Sequence, residues 1–348
     1  MRAVTLHGPR SIEVGDVPDP SIVEPTDVIV KVALSCICGS DLWPYRGVHE
    51  VGSAQRIGHE FVGTVVEVGS AVGSLRPGDF VISPFSWSDG TCPACRDGVT
   101  TGCRNGGFWG QPGSDGGQGE FVRVPFADAT LVALPEPPPR ELWPALLTLS
   151  DVMATGHHAA VCAHVAPGGT VGVVGDGAVG LCGILAARRL GAGQVIALSR
   201  NPARQAVAQQ FGASDVVPER GRDAVAAVRE LTGGRGVDHV LECVGTQESL
   251  ETAIHIARRG GSVGFVGVPH LTDPKPISDL FARSVGLRGG GAWVRTYLPE
   301  LLADVMAGSL DPSAVFDLTL PLEEAAEGYR AMDERRAIKV LLELDSSA

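Results

Sequence analysis

The sequence predicts a two-part α/β chain, a β-rich segment followed by a doubly wound parallel sheet, with a return to mixed pattern at the end. Three observations carry this. Between residues 154 and 290, short continuous apolar runs alternate with helical segments, as strands buried between helix layers do. A glycine fingerprint, Gly175-Asp176-Gly177-Ala178-Val179-Gly180, sits where one such run meets a helix. Before about residue 150 the runs are strand-like and separated by glycine and proline.

The first segment, residues 1–153, reads as irregular and β-rich. Residues 28–32 and 61–66 are strand-like, and Arg76-Pro77-Gly78-Asp79 is a turn opening another strand. Residues 86–119 are dense in glycine and proline, so something other than an apolar core must hold them. The proline run at 135–139 reads as a connector. In the second segment, residues 154–290, strands at 170–175, 195–198 and 237–241 each precede a helix, at 179–190, 203–211 and 250–257. Residues 263–266 add a further strand. The last segment, residues 291–348, ends in a strand at 339–342. No internal repeat is present. At 348 residues the chain suits about two domains.

A net charge of −12 and a pI near 5.2 argue against nucleic acid or an anionic membrane surface as partner. The N-terminal residues run straight into strand-like alternation, with no charged segment leading into an apolar run, so no secretory signal is expected. The most apolar stretch, 161–190, is broken by Pro167, paired glycines and Asp176 and cannot span a bilayer. Of the eight cysteines, five fall between Cys36 and Cys103. Without a signal peptide such clustering favours metal over disulfides, and the cytoplasm is the expected compartment. Lysine is confined to Lys31, Lys275 and Lys339, which reads as a coding bias and not as a function.

Cys38-Gly39-Ser40-Asp41 and Gly58-His59-Glu60 place a thiolate, an imidazole and spare carboxylates where one zinc could collect them with a position left open. A lone Cys is usually a small buried hydrophobe, so the pair gains meaning only with a third ligand and a co-reactant site. The glycine fingerprint supplies the second. Gly175, Gly177 and Gly180 allow a tight turn and let a pyrophosphate reach N–H groups at a helix N-terminus. Asp176 is an unusual neighbour for phosphate, and its side chain is expected to point away. The strand that follows ends Leu198-Ser199-Arg200-Asn201, with no Asp or Glu between Asp176 and Asp215. NAD sites place a carboxylate there; Ser199, Arg200 and Arg204 instead suit a 2′-phosphate, so NADP(H) is expected ahead of NAD(H). The competing reading of Arg204 is a solvated helix face.

Asp89-x2-Cys92-x2-Cys95-x7-Cys103 has the spacing of four tetrahedral ligands, a closed structural zinc that would fix the glycine-rich lobe. The alternative is a redox pair at Cys92-Pro93-Ala94-Cys95, a motif that normally sits beside a βαβ unit. Asp89 is the least expected of the four ligands.

Over essentially its whole length the chain resembles the zinc-dependent medium-chain alcohol dehydrogenase family, through the Cys38 and His59 motifs, the cysteine lobe and the nucleotide fingerprint in that order. The resemblance implies a GroES-like catalytic domain built from both chain ends, with a Rossmann domain inserted between. It implies two zinc ions per subunit. Cys38, His59 and Asp151 would bind the catalytic zinc, and Glu60 would approach it transiently. Asp41 would orient His59, Ser40 would accept the proton of an alcohol, and Thr155 and Val179 would lie at the cofactor. Asp151 stands where many relatives have Cys, which keeps two negative charges among the ligands.

Where many relatives have a His ending a proton relay, this chain has Trp43; exit through water, Tyr45 or His49 is the expectation. Phe108 and Trp109 match the lip of the substrate cleft, and suit a neutral alcohol, aldehyde or ketone. His157-His158 read as structural. The resemblance further implies a homo-oligomer, a tetramer ahead of a dimer. Two alternatives stand beside the alcohol dehydrogenase reading. One is a polyol or threonine-type dehydrogenase of the same fold, the other a non-catalytic nucleotide-sensing or structural member.

Overall fold

The computed structural model describes residues 1–49, 54–111, 113–271, 273 and 275–344. The chain divides into two compact units, Met1–Asp151 with Trp293–Ala348, and Val152–Ala292. The fold is mixed α/β, a β-rich unit and a unit built on a six-stranded parallel sheet.

The spine of the first unit is the strand Val28–Ile37, in which nine of ten residues are buried and only Lys31 is exposed. It pairs antiparallel with Phe61–Val68, Phe121–Val124 and Lys339–Glu343. Phe80–Ser83 and Val132–Ala133 extend one side, and Phe316–Pro321 lies parallel to Lys339–Glu343 on the other. Val28, Val30, Val32, Phe61 and Val122 bury one face, while Val4, Leu6, Ile37, Tyr329, Val340 and Leu342 form a second cluster. The turn at Arg76-Pro77-Gly78-Asp79 does open the strand Phe80–Ser83, with Asp79 N–H closing on Arg76 O at 3.1 Å. The proline run at 135–139 lies wholly within this unit.

In the second unit we number the strands β1 (Thr170–Val174), β2 (Gln194–Leu198), β3 (Asp215–Val217), β4 (Val237–Glu242), β5 (Ala257–Phe265) and β6 (Gly286–Gly289). The helices are α1 (Val152–Cys162), α2 (Ala178–Arg189), α3 (Pro202–Gln210), α4 (Gly221–Leu231), α5 (Gln247–Ile256) and α6 (Lys275–Arg283). Strand order is β3-β2-β1-β4-β5-β6, all parallel. The order reverses at β1, which places the crevice for a dinucleotide at the carboxyl ends of β1 and its neighbours. Strands β1, β2 and β4 follow the runs read from the sequence, whereas β5 begins at Ala257, ahead of the expected 263–266. No apolar run marks β3, β6, α4 or α6, because the edge strands are short and α4 and α6 are rich in arginine and other polar residues. Among the described residues no helix is long and apolar enough to cross a membrane.

The helix Ala325–Asp333 closes the second cluster of the first unit and is joined to the strand Val28–Ile37 through one polar chain. Tyr329 O–H donates to Gln118 Oε1 at 3.0 Å, and Gln118 Nε2 donates to Cys36 O at 3.0 Å and Asp41 Oδ2 at 3.4 Å. Tyr329 and Gln118 are both fully buried, so Tyr329→Phe leaves an amide oxygen without its donor. That loss should cost the first unit about 1–3 kcal/mol, read as a lower urea midpoint at unchanged slope. An unchanged midpoint would refute the network's structural role.

Candidate active site

The strand Val28–Ile37 runs out at Cys38, and the chain closes into the tight turn Gly39–Asp41. Cys38 N–H donates to Asp41 Oδ2 at 2.9 Å, which fixes that turn. Gly58, at φ +88°, carries the chain past Gln118, and a Cβ there would sit 2.4 Å from the Gln118 side chain. His59 and Glu60 follow and lead into Phe61–Val68. Asp151 arrives from the turn after the helix Trp143–Thr148, which Phe85 N–H pins by donating to Ser150 O at 3.0 Å.

Cys38, His59, Glu60 and Asp151 converge, each offering one donor atom within 4.8 Å of the others. Cys38 Sγ is 3.7 Å from Asp151 Oδ2, and His59 Nε2 is 3.3 Å from the same oxygen. On one tetrahedral zinc, sulfur and oxygen ligands stand about 3.6 Å apart and nitrogen and oxygen about 3.4 Å. Both distances to Asp151 therefore already match those of ligands sharing one zinc, and the thiol and imidazole lie within 4.8 Å of each other. Glu60 Oε1 lies farther out, 4.0 Å from His59 Nε2. Ser40 Oγ is 3.4 Å from that same nitrogen. Asp41 Oδ1, 3.2 Å from Nδ1, takes the far side of the ring and leaves Nε2 to face the cluster.

The electrostatics also fit a cation. Burial, then Asp151, pushes the Cys38 thiol up. Burial likewise raises Glu60, against the pull of Lys339. For His59 burial works downward, but Asp41, Cys38 and Asp151 outweigh it and hold the ring well above its usual value. Acidic groups outnumber positive ones in a buried volume, and a divalent cation both balances them and draws the thiol to thiolate.

Lys339 was missed as a site residue. It opens the C-terminal strand, is 1 % exposed, and its Nζ meets Glu60 Oε1 at 2.7 Å and Ile37 O at 3.3 Å. Glu60 Oε2 is buried with no hydrogen-bond partner among the described residues. The available signal was one of three lysines in the chain heading an apolar run.

Phe85, also missed, sets its ring edge-on to His59 at 6.5 Å and stacks on the half-exposed Phe108 at 5.9 Å. Trp109 does not share that lip. It is buried, packs against Phe61 and Trp87, and donates Nε1–H to Pro84 O at 2.8 Å. Tyr45 is no exit to solvent either, since its ring is buried against Tyr329. His49 is exposed and Trp43 half-buried. His157 and His158 are buried within the second unit, and burial, then Arg288 and His157, lowers His158 to about 4.

The second cluster is equally well formed: Asp89, Cys92, Cys95 and Cys103 present donor atoms within 4.8 Å of one another. All eight cysteines are free thiols. Cys92 Sγ and Cys95 Sγ are 3.5 Å apart, near the about 3.8 Å of two thiolates on one zinc. Backbone N–H groups of Cys95 and Arg104 lower Cys92 to about 7. Burial and the neighbouring thiols push Cys95 up to about 12, so this set holds several thiolates only around a cation. Asp89 Oδ1 accepts from the N–H groups of Thr91 and Cys92 at 2.8 and 2.9 Å, and Oδ2 accepts from Asn105 at 2.7 Å. These donors hold its carboxyl well below the usual range.

In the second unit Gly175 (φ +122°) leaves β1 and Gly177 caps α2, with open space where a Cβ would point. Gly180 has no such freedom, for a Cβ would lie 2.0 Å from Gly175 O. Val179 lies in the first turn of α2, and Thr155 is buried in α1. Ser199 and Arg204 are buried and engaged with the loop itself. Ser199 O–H donates to Asp176 Oδ2 at 3.0 Å, and Arg204 Nη1 donates to Asp176 O at 3.0 Å and stands 3.6 Å from Oδ1. Asp176 thus turns toward the end of β2, and Arg204 is not a solvated helix face. Arg200 is exposed.

Residues 24–136 match the model of the alcohol dehydrogenase GroES-like domain, and residues 178–306 that of the zinc-binding dehydrogenases. The chain is 33 % identical to a zinc-type alcohol dehydrogenase B of Aspergillus flavus, over 98 % of this chain and 81 % of that protein. Among solved structures it matches the alcohol dehydrogenase TADH from Thermus sp. ATN1 with a TM-score of 0.91 and 37 % identity, covering 99 % of both chains. A zinc-binding dehydrogenase from Sinorhizobium meliloti 1021, described as bound to NADP, matches with a TM-score of 0.84 and 28 % identity over 99 % of both chains. With two metal-competent clusters in one unit and a nucleotide loop in the other, the chain belongs to the zinc-binding medium-chain alcohol dehydrogenase family and is a zinc alcohol dehydrogenase-type oxidoreductase.

Proposed function

We propose that this chain is an NADP(H)-linked, zinc-dependent dehydrogenase that interconverts a neutral alcohol with its aldehyde or ketone. The observation that carries the reading is the convergence of Cys38, His59 and Asp151 at zinc spacing, with the Ser40 hydroxyl beside them. Zinc would supply the Lewis acidity that makes an alcohol a stronger acid or a carbonyl a better hydride acceptor, and the nicotinamide would supply or take the hydride.

The chain's own residues do the rest. Cys38, His59 and Asp151 hold the metal, and Asp41 fixes the tautomer of His59 through Nδ1. Ser40 Oγ relays the proton: in oxidation it accepts the alcohol proton while passing its own hydroxyl proton on to water or a cofactor ribose hydroxyl, and in reduction the same relay runs backwards. Lys339 holds Glu60 beside the three ligands, 4.0 Å from His59 Nε2, where its carboxylate would be a reserve donor to the metal. Phe85 and Phe108 give an apolar surface that favours a neutral substrate over a sugar phosphate. Asp89, Cys92, Cys95 and Cys103 hold a structural zinc that substitutes for a core in the glycine-rich lobe.

For the cofactor, Thr155, Gly175, Gly177, Val179 and Gly180 form the cradle. The absence of a carboxylate on the end of β2 and the exposed Arg200 support NADP(H). Asp176 works the other way, because its carboxylate claims the Ser199 hydroxyl and part of the Arg204 charge. It is a counterweight that keeps the preference for NADP(H) modest. We place the enzyme in the cytoplasm as a homo-oligomer, a tetramer ahead of a dimer. The edge strand β6 and the 89 % exposed Phe281 on α6 support self-association.

Two measurements test this reading. Cys38→Ser should lower kcat more than about a thousandfold, the several kcal/mol a Lewis acid contributes, while NADP(H) binding persists. Retained turnover with depleted zinc would end the mechanism. Asp176→Asn keeps an acceptor for Ser199 but removes the charge, and should raise the NADP-over-NAD ratio of kcat/KM about tenfold. Arg200→Ala should lower the same ratio. A wild-type enzyme with higher kcat/KM for NAD would overturn the NADP assignment.

A further inference from the structure

The second unit carries a cavity of about 350 Å³ lined by Arg229, Gly234, Arg235, Arg258, Arg259 and Arg283. Arg229 lies in the last turn of α4, Arg235 in the loop before β4, Arg258 and Arg259 at the start of β5, and Arg283 at the end of α6. The cavity therefore stands at the amino ends of β4 and β5. In a parallel sheet this is the edge opposite the glycine loop, which follows the carboxyl end of β1. It is no part of the dinucleotide site.

Five guanidiniums meet there in a chain whose net charge is −12. One carboxylate answers two of them: Asp238 Oδ1 lies 2.7 Å from Arg258 Nε and 3.2 Å from Arg235 Nη2. Two others are held by backbone carbonyls, which fix their direction without neutralising them. Arg283 donates to Ile254 O, His255 O and Ala257 O at 3.2, 3.3 and 2.7 Å, and Arg259 Nη1 donates to Ala282 O at 2.9 Å. The Arg229 guanidinium has no hydrogen-bond or ion-pair partner among the described residues. Burial, followed by the like charges of Arg229 and Arg259, pulls Arg283 below its usual value, with Asp279 opposing.

Capping of helix C-termini accounts for Arg283. It does not account for Arg229, Arg235, Arg258 and Arg259 around the same space. Like charges repel at these separations, and a multivalent oxyanion converts that repulsion into several charge-assisted, bidentate contacts. The volume sits at the small end of ligand pockets, about 300–1,000 Å³. We propose that this cavity is an anion site for a compact ligand with two phosphoryl groups, a diphosphate or a doubly phosphorylated metabolite. The proposal stands apart from the catalytic reading.

The test is titration of the full-length protein with inorganic pyrophosphate at low ionic strength, followed by calorimetry. Wild type should bind, and the double variant Arg229→Gln/Arg259→Gln should bind at least tenfold more weakly while its KM for the nicotinamide cofactor is unchanged. Arg229→Gln alone, which breaks no hydrogen bond, should weaken binding severalfold and serves if the double variant does not fold. Equal pyrophosphate affinity in wild type and Arg229→Gln would assign the binding to the glycine loop and overturn the site. So would no binding at millimolar pyrophosphate, or binding of hexaglutamate without pyrophosphate, which would make the patch a protein-docking surface.

Discussion

An excess of negative charge in a buried volume is the constraint on which the first unit depends. Cys38, Asp41, Glu60 and Asp151 crowd together with only His59 and Lys339 on the positive side. Burying such groups unpaired costs several kcal/mol each. The fold answers in two ways. It carries Lys339 in on the C-terminal strand to meet Glu60, and it leaves Cys38, His59 and Asp151 at the spacing a divalent cation requires. The seven-stranded sheet can be understood as the frame that holds these opposing groups at fixed distances.

The two metal-competent clusters use different means for different ends. Around Asp89 the donors are local in sequence and are fixed by backbone N–H groups from the same loop, so the cluster organises chain with little apolar material to bury. Around Cys38 the donors come from three distant segments, each rooted in strand, helix or buried hydrogen bond. Rigidity there is borrowed from the sheet, and Glu60 is kept at arm's length by its ion pair. A closed set suits a fastener and an open one suits a catalyst.

Much of this was legible in the residues. Strands β1 and β2 are nearly continuous apolar runs, and cysteine spacing and the fingerprint are local patterns that survive without tertiary knowledge. Asp151 came only through family resemblance, since a lone Asp after a helix carries no local mark. Lys339, Phe85 and the inward turn of Trp109 were hidden for one reason: each acquires meaning from a partner far along the chain, such as Glu60, His59 or Phe61. Arg204 was legible as a candidate yet ambiguous, and its hydrogen bond to the glycine loop is a tertiary fact. The arginines around the second unit's cavity were likewise invisible, because α4, β5 and α6 are separated by helices and strands that only folding brings side by side.

The Lys339 contacts carry a consequence for the order of assembly. Its ammonium reaches Ile37 O across 302 residues and Glu60 across 279. Contacts of such separation carry a loop-closure entropy that precedes any reward. The second unit has a self-contained sheet and can form its core without them, whereas the Cys38 thiol and Glu60 stay incompletely screened until the C-terminal strand docks. Charge balance at this site is thereby tied to docking of the C-terminal strand, whereas the cluster at Asp89 draws all its donors from one stretch of chain.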